Sequence, residues 1–419
     1  MIAYSKFTLE NGLRVVVHED HSTPMVAVNV LYDVGSKDES PEKTGFAHLF
    51  EHLMFGGSLN VPEFDEPIQM AGGENNAFTN SDITNYYDIL PAQNIEIAFW
   101  LESDRMLSLN FDDQVLDTQR KVVVEEFKET CLNQPYGDVW HHLSNMVYQS
   151  HPYQWPTIGK VPEHVEQATM EDVKDFYHKY YCPNNAILTV AGDVTVEQIK
   201  ELSEKWFGNI TKGNLPNRNI AKEARQEEIR GRDLEGNIPL NAIYLAFQMP
   251  DRLHEDYYAV DLLSDILCNG RSSRLYQRLL KEKQLFAQID CYISGTIDTG
   301  VLIVEGRPSE GVTLKQAEVA IWEELDKIVR EGVEERELQK VKNRVESTLV
   351  FSEASILNKA INLSYFEVIG DIDRINQEVD LYEQITISDM KRVAQEVLRR
   401  DNCSTLRYRV SNAELEAID

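Results

Sequence analysis

The chain has 419 residues, 42% of them hydrophobic and 26% charged, which is the balance of a soluble globular protein of two or three domains. Its 41 basic and 70 acidic side chains leave a net charge of −29, which excludes the basic surface of a nucleic-acid binder. No apolar run approaches the roughly 20 residues of a membrane span, and the five scattered cysteines form neither a disulfide framework nor a cysteine zinc site.

The first residues, MIAYSKFTLENGLRVVV, lack a basic flank and apolar core and lead directly into strand-like sequence. The expected location is cytoplasmic, or periplasmic if a leader has been removed. Leu13 to Val17 and Met25 to Val34 are apolar, β-branched runs and read as strands. Ser40 followed by Pro41 reads as a helix start, and Gly56-Gly57 as its stop. Between them lies FAHLFEHLMFGG. Phe46, Leu49, Phe50 and Leu53 recur at helical spacing and form a core stripe. His48 and His52 are four residues apart, so they stand one above the other on another face, with Glu51 beside them. Two such imidazoles can hold one metal ion, and the carboxylate between them can reach a water on that ion. The order HxxEH is the inverse of the HExxH zinc-protease motif.

Ala71 to Asn80 is a Gly/Asn-rich turn entering a strand that continues to about Leu90. A helix is expected from Asp113 to Leu132. Glu126 shares a face with Val115, Gln119 and Val122, whereas Glu125 shares one with Thr118, Lys121, Lys128 and Glu129. Glu126 is therefore on the less polar side, where a carboxylate needs a cation or hydrogen bonds to stay ionised. A zinc hydrolase needs about three protein ligands and an open position for water. His48 and His52 supply two ligands, Glu126 is the expected third, and Glu51 is the expected general base.

The region from Gly208 to Gly236 is polar and poor in large apolar residues, and it reads as a linker. Strand and helix patterns then restart at Ala242 and Tyr257. ATMEDVKDFYHKYYCPNNAIL in the first half aligns with ITISDMKRVAQEVLRRDNCSTL in the second, matching Thr169 with Thr386, Asp172 with Asp389 and Asn185 with Asn402. Duplication is the simpler account. The expected division is a zinc-binding domain at 1–210, a linker at 211–236 and a homologous domain without a metal site at 237–419.

HLFEH, followed by Glu126 within QRKVVVEE, resembles the pitrilysin/insulinase family (M16) of zinc peptidases. The resemblance extends over LENGLRVVV, NAFTNSDITNYY, HPYQWPTIG, LTVAGD and GRSSRLYQRLLKEKQLF. It implies an α+β chain of two homologous domains, each an antiparallel sheet covered by helices on one face. It also implies one zinc ion per chain on His48, His52 and Glu126, with Glu51 as base. The strand at Asn76, Ala77 and Phe78 is expected to take the substrate peptide as an added strand.

Two departures stand out. Gln119 occupies a supporting position where the family often has Glu. Active members also carry an Arg and a Tyr in the second half. Here Lys281 stands near the Arg position, and Phe286, Ala287 or Gln288 where Tyr is expected. Either Tyr292 or a partner subunit fills the gap. The expected function is a zinc metalloendopeptidase acting on peptides or small unfolded polypeptides. It would work as a homodimer, or as a heterodimer with a paralogue carrying the Arg/Tyr pair, without nucleic acid or membrane. The rivals are a non-catalytic assembly subunit of the same fold and a zinc hydrolase of another amide bond.

Overall fold

A computed structural model describes residues 1–411. The chain is α+β and divides into two compact units, each built on one sheet. The first unit comprises Met1–Glu129, Trp155–Ile220 and Leu349–Glu378. The second comprises Thr130–Gln154, Ala221–Thr348 and Val379–Asp419. No helix among the described residues is long and apolar enough to cross a membrane.

The first sheet contains β1 (Ser5–Thr8), β2 (Arg14–Glu19), β3 (Met25–Tyr32), β4 (Glu74–Thr79), β5 (Thr84–Pro91) and β6 (Ala186–Gly192), in the order β1-β2-β6-β3-β5-β4. All pairs are antiparallel except β2 with β6. No hairpin joins β2 to β6, because β6 enters the sheet only after several helices, so the connection leaves its direction free. Alternation divides the side chains between the two faces. Val15, Val17, Val26, Val28 and Val30 join the main core with Phe46, Leu49, Phe50 and Leu53. The expected helix-covered face is this one.

The opposite face, with Val16, Leu31 and Ile187, carries the helix Ile356–Val368 through Leu363 and Phe366. Ala360 meets Ala27 and Ala191 there. At its centre, Asn29 Nδ2 donates to Asn85 Oδ1 and Ser364 Oγ, and Ser364 donates to Thr189 Oγ1. These four polar side chains are fully buried and satisfy one another, which fixes how the helix sits on the sheet.

The second sheet contains β7 (Arg230–Gly236), β8 (Ala242–Met249), β9 (Phe286–Ser294), β10 (Gly300–Pro308) and β11 (Cys403–Val410), in the order β7-β11-β8-β10-β9. The first sheet from β2 onward has this same order, including a parallel pair at the same place. The aligned residues also make the same bonds. Thr169 with Asp172 and Thr386 with Asp389 are both reciprocal helix caps. Asn185 and Asn402 each donate to the carbonyl five residues earlier, of Tyr180 and Val397. The stretch 211–236 ends in a strand, β7, paired along its whole length with β11.

Candidate metal centre

The histidine helix runs from Phe46 to Leu53, shorter than the Ser40-Pro41 start implies. Ser40 instead forms an isolated bridge with Lys43. The residue before the helix is Gly45, at φ 85°. A side chain there would be strained, and its Cβ would stand 2.8 Å from the Ile158 carbonyl oxygen and 2.9 Å from Val165 Cγ2. No residue adjoining the helix caps it. The cap comes from Glu39: Gly45 N–H donates to Oε2 at 3.0 Å and Ala47 N–H to Oε1 at 2.9 Å. Trp155 Nε1–H adds a third bond to Oε2 at 3.1 Å. Burial pushes the Glu39 carboxyl up to about 8, against the pull of these N–H donors. The sequence gives no local sign of this role, because the acid lies well outside the first helical turn.

The second helix, Asp113–Phe127, begins at Asp112, whose carboxylate accepts from the Gln114 and Val115 N–H groups. A π-helical turn over Lys128–Leu132 ends it. Glu125 points to solvent and pairs with Lys128 at 2.6 Å. Glu126 turns to the histidines. Its Oε2 lies 3.3 Å from His52 Nε2 and 3.7 Å from His48 Nε2. Gln119 stands on the same helix, about two turns earlier. Glu51 is half-buried on the histidine helix, immediately before His52.

The donor set fits zinc. Zinc bonds of about 2.0–2.1 Å in a tetrahedron place ligand atoms about 3.3 Å apart. The three donor atoms lie within 4.8 Å of one another, and no other such group of His, Cys, Asp or Glu occurs among the described residues. Two imidazoles and a carboxylate leave a fourth position open. For His48 and Glu126 the electrostatics favour the protonation states that a metal requires. Burial holds His48 below the usual histidine range, although Glu126 pulls it upward. The hydrogen bond from His52 holds Glu126 below the usual carboxylate range. The other nitrogen of His48, Nδ1, is buried and has no hydrogen-bond partner among the described residues.

β4 is the edge of its sheet, so the strand expected to receive peptide is open on one side. The register narrows which residue serves. Asn80 N–H donates to the Ile83 carbonyl, making that pair a hydrogen-bonded one. Alternation then gives Phe78 with Asn85 and Asn76 with Tyr87 to the ladder. Of the three expected residues, only Ala77 turns its N–H and C=O to the free edge. Its N–H donates to the Asn76 side-chain Oδ1 at 2.8 Å.

In the second unit, the Arg/Tyr segment places Phe286, Ala287 and Gln288 at the start of β9, with Phe286 buried and the other two exposed. Tyr292 donates its hydroxyl to Glu305 Oε2 at 3.2 Å.

Residues 14–161 match the family model described as insulinase (peptidase family M16), and residues 167–345 the one described as the peptidase M16 inactive domain. The chain belongs to the insulinase family. The zinc protease PqqE of Helicobacter pylori is 31% identical over 413 residues, covering 96% of this chain and 92% of that protein. An uncharacterized zinc protease of Bacillus subtilis, YmxG, is 27% identical, covering 94% of this chain and 96% of that one. A crystal structure of a protease from Helicobacter pylori superimposes with a TM-score of 0.93 at 29% identity, over 98% of this insulinase-family chain and 100% of that one. A peptidase M16 inactive domain from Pseudomonas fluorescens, 16% identical, shares the fold with a TM-score of 0.88 over 98% of each chain.

Proposed function

We propose that this chain is a zinc metalloendopeptidase that hydrolyses peptides or small unfolded polypeptides. The observation that carries the reading is the convergence of His48 Nε2, His52 Nε2 and Glu126 Oε2 from two helices. Zinc bound there would polarise the scissile carbonyl and lower the pKa of a bound water to about 7. Glu51, immediately before His52, would take a proton from the attacking water and hand it to the leaving amine. Gln119 supports the site as a neutral hydrogen-bonding group. The substrate adds as a strand along β4, pairing with Ala77 and flanked by Asn76 and Phe78. Metal site and edge strand belong to the unit that includes most of 1–210. The homologous domain, 237–419, is the one without the metal group among its described residues, and 211–236 leads into it through β7.

The Arg/Tyr function falls to a second chain, identical or paralogous. Gln288 and Ala287 offer neither charge nor phenol, and the Tyr292 hydroxyl is engaged by Glu305. The working form is a dimer in a soluble compartment. An intact ligand set speaks against a purely structural subunit, which has no use for one. The test is metal analysis of the purified chain, followed by cleavage of unstructured peptides with and without chelator and with a candidate paralogue. Zinc-dependent cleavage at internal bonds is expected. A chain that holds zinc and cuts no peptide under any of these conditions would overturn the reading.

A further inference from the structure

The orientation of a metal-binding histidine is ordinarily fixed through its second ring nitrogen, which donates to a carboxylate or carbonyl. His48 lacks this support, since its Nδ1 is buried without a hydrogen-bond partner among the described residues. Its aim at Glu126 must therefore come from the backbone that carries it. That backbone begins at Gly45, a residue with no side chain to cap the helix and a left-handed φ. The N–H groups of Gly45 and Ala47 at its first turn donate to the Glu39 carboxyl. Ala47 is the residue next to His48, so the clamp acts one peptide away from the ligand.

The clamp is itself held. Glu39 is 7% exposed and Trp155 only 2%, and the indole N–H divides between Glu39 Oε2 and the Ser36 carbonyl, both at 3.1 Å. Packing of Gly45 against Ile158 and Val165 leaves no room for the turn to shift sideways. The two oxygens of Glu39 each accept one N–H of the turn, Oε2 from Gly45 and Oε1 from Ala47, and Oε2 accepts from Trp155 as well.

We infer that Glu39, braced by Trp155, is a positioning residue of the metal centre, which sets the aim of His48 by clamping the first turn of the histidine helix. It touches neither metal nor substrate. This inference rests on the metal-site reading, and on nothing about which peptide is cut. Glu39→Gln keeps the volume but replaces one acceptor with a donor that opposes the N–H groups of the helix. Trp155→Phe removes a single brace and leaves the carboxylate in place.

The experiment compares these variants of the full chain with wild type by three readouts. In competition with a chromophoric chelator, Glu39→Gln is expected to bind zinc roughly 10–100-fold more weakly, and Trp155→Phe to fall between it and wild type. The zinc-free chains report independently: hydrogen exchange at the Gly45 and Ala47 amides should accelerate in Glu39→Gln. Where wild type cleaves peptide, kcat should fall at saturating zinc while KM stays unchanged, which general loosening of the fold would not produce. Wild-type exchange at both amides, or wild-type zinc affinity, in Glu39→Gln would overturn the inference. If wild type cuts nothing even with a candidate paralogue while the variants still lose zinc, the peptidase reading fails and the positioning role stands.

Discussion

His52 Nε2 lies 3.3 Å from Glu126 Oε2, on two helices that meet far apart in the sequence. The same carboxylate oxygen is 3.7 Å from His48 Nε2, so one atom of Glu126 closes the group. Replacing it with a neutral amide removes the only negative charge in the donor set. Glu126→Gln should therefore weaken zinc binding by more than the roughly 10–100-fold typical of outer-shell changes. Equilibrium dialysis against buffered zinc measures this directly. Unchanged affinity would mean that the ion, if any, sits elsewhere.

Glu51 shares the histidine helix but is not part of the converging group. Its replacement separates chemistry from metal binding. Glu51→Gln should retain zinc at wild-type stoichiometry and lose about 10²–10⁴-fold in kcat, the usual contribution of a positioned general base. Full activity in this variant would remove Glu51 from the mechanism.

What could be read from the sequence follows from the range of the forces involved. Phe46, Leu49, Phe50 and Leu53 are buried because periodicity alone decides which face of a helix packs. Spacing sets Glu126 apart from Glu125, but Val122 on its face is 43% exposed, and this helix packs through Leu116, Val123, Val124 and Phe127. The start of the histidine helix could not be read, because Glu39 caps through space and overrides the local signal at Ser40 and Pro41. The helix Ile356–Val368 shows apolar spacing, but spacing does not say which sheet it covers. Its partners, Ala27 and Ala191 through packing and Asn29 through Ser364, are fixed by tertiary contacts between distant segments. The ladder position of Ala77 depends on the turn at Asn80–Ile83, whose hydrogen bonding sets the register.

That register makes a sharp expectation for substrate binding. Ala77→Pro deletes an N–H that points away from the sheet, and proline is tolerated on edge strands for this reason. The variant should fold and bind zinc, yet bind peptide much more weakly in a cleavage-silent Glu51→Gln background. Phe78→Pro deletes an N–H that belongs to the ladder with Asn85, and it should lower the melting temperature. Fluorescence anisotropy of a labelled peptide, alongside thermal melts, distinguishes the two. If Ala77→Pro binds peptide as wild type does, the substrate does not add along β4.

A last expectation concerns the core beneath that strand. Asp88 of β5, Glu102 and Arg105 are all buried, and Arg105 lies 4.3 Å from the ring centres of both Phe64 and Tyr86. Arg105 Nε donates to Glu102 at 2.8 Å, while the Asp88 oxygens have no hydrogen-bond partner among the described residues. Burial, and then Glu102, push the Asp88 carboxyl above its ordinary range, with Arg105 opposing. Arg105 is paired with Glu102, and the direction of the Asp88 shift favours its protonated form. In the unfolded chain an aspartate ionises near 3.9, so above that pH the folded chain holds a proton that the unfolded one has lost. Stability from this group is thus present at low pH and lost as pH rises toward the folded value. Asp88→Asn, neutral at every pH, should remove that slope. It should unfold at higher urea than wild type at pH 8, with a smaller difference at pH 5. A variant less stable than wild type at both pH values would show that Asp88 is ionised and paired with Arg105.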